Sequence, residues 1–111
     1  NYYKDEKSKE LFIALIKKFK SIAKSRKHKP VLIIFPQLTD IEFKDTNIFY
    51  KNFFKNEISK EIHTLDLTKN FENKKLKKFF TNKIYGSHLS PLGNKFVSKI
   101  IYNFLKKHFN V

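Results

Sequence analysis

The sequence predicts an α/β protein. Two candidate strands, the apolar run 31–35 and the short segment 62–67, alternate with stretches of helical period. A strand, a helix and a second strand in that order imply a right-handed parallel crossover. At 111 residues the chain is expected to be a single domain, near the low end of the usual size range.

The elements follow in chain order. Residues 6–27 read as a helix, with Leu11, Phe12, Leu15, Ile16, Phe19 and Ile22 on a face suited to burial and lysines opposite. After a polar linker, Val31-Leu32-Ile33-Ile34-Phe35 is a continuous apolar run ended by Pro36, as expected of a strand covered on both faces. Residues 37–46 read as a loop, 47–60 as a helix carrying Ile48, Phe49, Phe53, Phe54 and Ile58, and 62–67 as a strand. A lysine-rich helical or irregular segment, 70–80, leads to a loop bearing His88. The last helix is expected over 91–107, with Leu92, Phe96, Val97, Ile100, Ile101, Phe104 and Leu105 on one face. Two strands cannot cover four helices, so the pattern reads as half of a larger sheet.

The formal charge of +14 raises a nucleic-acid reading. The type of base argues against it. Arg26 is the one arginine, and the lysines occur beside abundant Asn, Ile and Phe, the set that A/T-rich codons favour. Lysine is also the poorer residue for bidentate phosphate or base recognition. The run Lys74-Lys75-Leu76-Lys77-Lys78 is accordingly read as a solvated helix face, with Leu76, Phe79 and Phe80 turned inward. There is no cysteine, and His28, His63 and His88 are too scattered for a ligand set, so no metal and no other cofactor is expected. No apolar run approaches the roughly 20 residues of a membrane span.

The chemistry concentrates in Tyr85-Gly86-Ser87-His88-Leu89-Ser90-Pro91-Leu92-Gly93-Asn94. Ser90 is a good N-cap and Pro91 suits the first helical position, which fixes a helix start two residues after His88. The positive end of that helix disfavours an imidazolium and so favours the neutral ring that a general base requires. These ten residues, with the amphipathic helix after them, resemble the C-terminal signature of the SGNH (GDSL-type) esterase and lipase superfamily. The preceding strand-helix-strand pattern matches loosely. The resemblance implies a flavodoxin-like three-layer sandwich, of which this chain is the C-terminal half with about two parallel strands and four helices. It implies a serine ester hydrolase in which His88 is the catalytic base, acting on an ester such as a carbohydrate O-acyl or lipid ester.

Two departures qualify the site. The family's aspartate three residues before the histidine is Tyr85 here, so the ring is held either by a backbone carbonyl or by another carboxylate, and Asp66 at the end of the second strand is the candidate by topology. The position of Asp66 favours the plainer role of a strand-end aspartate that bonds local backbone. The family's Gly-Asp-Ser block, mid-chain glycine and Gly-x-Asn-Asp block are all missing. Ser87 adjoins the base but lacks the strand-to-helix turn of a nucleophile. Tyr85, Ser87 and Gln37, which follows the first strand, remain with Asp66 as candidate orienting or cleft residues. A chain that opens on Asn1 and lacks these blocks is expected to be the C-terminal portion of the enzyme, inactive alone. The alternative is a small basic module that binds an acidic partner such as nucleic acid.

Overall fold

The computed structural model describes residues 5–42, 48–72, 74–81 and 88–111. Helix and strand are mixed, and the sheet has two parallel strands, β1 (Val31–Ile34) and β2 (His63–Asp66). Among the described residues the α-helices are α1 (Glu6–Ser25), α2 (Leu38–Glu42), α3 (Ile48–Phe53), α4 (Ser59–Glu61), α5 (Leu76–Phe79) and α6 (Pro91–Phe109). Contacts gather in two compact units, residues 1–33 with 43–64, and 34–42 with 65–111.

In the first unit α1 begins at Asp5, whose carboxylate accepts from the Ser8 amide at 3.0 Å and the Ser8 hydroxyl at 2.7 Å. The Ser8 hydroxyl and then its amide hold the Asp5 carboxyl below its ordinary value of 3.8. A depressed carboxyl stabilises the fold fully above the unfolded value, and the benefit is lost as pH falls through the lower folded value. The cap on α1 therefore weakens only in acid. At the other end Lys27 adopts φ 56°, the left-handed closure usual for glycine, and the His28 amide returns to the Ala23 carbonyl at 2.8 Å.

The apolar arc of α1 is wider than the surface this chain covers. Ile16 and Ala23 are buried, and the Phe12 ring meets Phe53 and Phe54 edge-on at 5.9 and 5.3 Å. Leu11, Leu15, Phe19 and Ile22, expected to be buried with them, are 63, 59, 48 and 43% exposed. They form a second stripe beside the packed one, because the aromatic rings of the following helix reach only one edge of the arc. That helix runs from α3 to α4 through π-type turns at Phe54–Ile58, which bury Phe54 and Ile58. Glu61 in α4 faces Lys20 at 3.4 Å and Lys17 at 4.0 Å, partly exposed pairs of small energetic weight.

The second unit differs from expectation at residues 38–42. Residues 38–42, read as loop, form a short helix because Leu38 and Ile41, three apart, both bury and pack it beside a 3₁₀ turn at Thr68–Phe71. The lysine-rich segment, read as helical or irregular, holds the end of that 3₁₀ turn and α5 among its described residues. Phe71, fully buried, is the centre of an aromatic cluster with Phe79, Phe80 and Phe96 at ring distances of 5.9, 5.2 and 5.3 Å. Lys74, Lys75, Lys77 and Lys78 stay exposed around it, with the Lys74 ammonium 5.6 Å from the Phe96 ring centre. The parallel pairing continues past β2, where the Leu67 amide donates to the Ile34 carbonyl at 3.1 Å. Every residue of β1 is only half-buried and Phe35 beyond it is exposed, whereas the apolar run predicted a strand covered on both faces.

Candidate active site

The His88 segment is built onto the start of α6. The Ser90 hydroxyl accepts from the Gly93 amide at 3.1 Å, which makes it the side-chain N-cap the sequence predicts, and Pro91 opens the helix. The same hydroxyl donates to the Lys78 carbonyl at 2.5 Å, and the Ser90 amide donates to the Phe79 carbonyl at 2.8 Å. One residue thus caps α6 and ties it to the end of α5. Gly93 completes the seat: a Cβ there would run into the Phe79 carbonyl oxygen, with a Leu89 methyl close by. Glycine is required by close approach and not by a special backbone angle.

His88 itself is exposed and belongs to a two-rung antiparallel stem. Phe80 and Leu89 form one rung, and Thr81 and His88 the next. The Thr81 amide donates to the His88 carbonyl at 2.7 Å. The His88 amide donates in return to the Thr81 hydroxyl at 3.3 Å, and that hydroxyl donates to the His88 carbonyl at 3.2 Å. The base candidate is therefore carried on backbone held from both sides, next to the positive end of a 19-residue helix.

The other candidates divide. Tyr85 and Ser87 lie outside the described residues. Asp66 is half-buried at the end of β2 and its carboxylate accepts from the Thr68 amide at 2.9 Å, the local backbone bond expected of a strand-end aspartate. Among the described residues no carboxylate forms an ion pair with His88. Gln37 is exposed and Pro36 buried in the connection that leaves the C-terminal end of β1. Among the described residues no group of three or more His, Cys, Asp or Glu side chains is placed to hold a metal ion, and no helix is long and apolar enough to cross a membrane.

Thr81 is the contact that sequence reasoning missed. Nothing in the residue pattern marks a threonine seven positions upstream as the partner of His88. Gly93 did carry a signal, since glycine within the first turn of a helix usually has a packing reason. Comparison of the chain with protein-family models, with curated proteins and with solved structures finds no match.

Proposed function

We propose that this chain is the base-bearing C-terminal portion of an SGNH-type serine ester hydrolase, built on a flavodoxin-like sandwich to which β1 and β2 contribute two parallel strands. The observation that carries the reading is the seating of the whole 88–93 block, with its histidine on pinned backbone, its serine cap and its close-approach glycine serving one purpose. The uncovered stripe on α1 and the small sheet support the presence of further protein that carries the nucleophile.

In this reading the neutral His88 ring removes the proton from a serine hydroxyl as its oxygen attacks the ester carbonyl. The tetrahedral intermediate expels the alcohol, which takes the proton from His88 and leaves an acyl-serine. Water then attacks the acyl carbonyl, losing a proton to His88, and the second tetrahedral intermediate expels the serine oxygen, which takes that proton from His88 as the carboxylic acid leaves. With Tyr85 in place of the family's aspartate, the reading is a serine–histidine dyad whose ring is oriented by local structure. Carbohydrate O-acyl and lipid esters are the proposed substrate classes. Turnover of p-nitrophenyl acetate by the complete enzyme tests it. His88→Ala should lower kcat at least about a thousandfold with the fold intact, and retained turnover would end the assignment.

A second reading, a basic module for an acidic partner, is favoured by one feature. Lys17, Lys20, Lys24 and Lys27 line an open depression with His28 and Pro30. Lysines also recur on α5 and α6, the spread that compositional bias produces. Duplex DNA binding whose log affinity falls by about 0.9 per phosphate contact with log salt would favour this module.

A further inference from the structure

We infer that Thr81 is the positioning residue of His88, an inference that rests on His88 being the base. Neighbouring residues in a hydrogen-bonded antiparallel pair exchange two backbone bonds. Here only one of the two is made between backbones, from the Thr81 amide to the His88 carbonyl at 2.7 Å. The return bond from the His88 amide ends on the Thr81 hydroxyl at 3.3 Å, and the same hydroxyl reaches the His88 carbonyl at 3.2 Å. A side-chain oxygen thus completes the rung. The contact depends on residue type, since serine can make it and valine, of the same shape as threonine, cannot.

The consequence is local to the base. His88 is held at both its amide and its carbonyl by Thr81, and two residues later the chain is held again by Ser90 on Phe79 and Lys78. The Cα that carries the imidazole is fixed between these two anchors. In a site without an aspartate at position 85, orientation of the ring falls to the backbone beneath it. Thr81 supplies the half of that support that lies before the cap. It acts on His88 and does not itself touch a reacting atom.

Amide hydrogen exchange and imidazole NMR shifts of the 111-residue chain test this directly. In Thr81→Val, exchange at the His88 amide should rise about tenfold, as expected for loss of one hydrogen bond. The His88 ring shifts should move toward free histidine while the Ser90 and Gly93 amides stay protected. Thr81→Ser should restore both signals. In the complete enzyme T81V should lower kcat by about ten- to a hundredfold with KM unchanged, the penalty of a slightly misplaced group. Unchanged His88 exchange and ring shifts in T81V would overturn the proposal. Should T81V unfold the unit, T81S decides: native His88 signals support the clasp, and released ones refute it. Exchange reads the clasp whether or not His88 is a base, and turnover of H88A reads the base, so the two failures are separable.

Discussion

Gly93→Ala is expected to destabilise the fold by about 1–3 kcal/mol, the range for forcing a methyl group into a filled space. The sign is what makes the result informative. Within a helix, alanine is ordinarily favoured over glycine by roughly 0.5–1 kcal/mol. Position 93 reverses the preference because the added Cβ meets a backbone carbonyl, that of Phe79. The carbonyl cannot swing away cheaply, since it accepts the Ser90 amide at 2.8 Å. Relief of the clash must lift α6 from α5 or break this bond, and either movement disturbs the segment that carries His88. Urea unfolding of the two proteins measures the effect. An alanine variant as stable as the parent, or more so, would mean that Gly93 is not a close-approach residue.

Phe71→Ala is expected to cost more, about 3–5 kcal/mol, as for other fully buried aromatic truncations. Phe71 has no exposed surface and its ring is met by Phe79, Phe80 and Phe96 within 6 Å. Neighbouring rings are rigid and close poorly over a vacated space, which places the cost toward the upper end. Domains of this size have a total stability of about 5–15 kcal/mol, so the variant should lose its cooperative urea transition or show it at much lower denaturant. A loss below about 1 kcal/mol would show that the cluster tolerates collapse.

The parts of this fold that could be read in the sequence are those fixed by local chemistry. The start of α6 was legible because Ser90 and Pro91 each satisfy a specific need of a helix N-terminus. The first strand was legible as a continuous apolar run between Pro30 and Pro36, and the second, with apolar residues at 62, 65 and 67, as a short strand after the helix before it. The short helix α2 was not, since Leu38 and Ile41 amount to a single turn and gain their burial only from tertiary packing. The exposure of Leu11, Leu15, Phe19 and Ile22 was illegible for a related reason: periodicity reports which side chains suit burial, not whether a neighbour covers them. At the site, the ten-residue block pointed to His88, but the residue that clasps it is separated by seven positions and contributes one hydroxyl. No periodicity or capping rule encodes such a pairing.

The central claim, that His88 serves a serine outside this chain, is tested most directly by labelling the complete enzyme with a fluorophosphonate and mapping the adduct. The reagent phosphonylates an activated serine with release of fluoride. One labelled serine is expected, outside these 111 residues, with labelling lost in His88→Ala. An adduct on Ser87 or any other serine of this chain, or labelling that persists without His88, would contradict it.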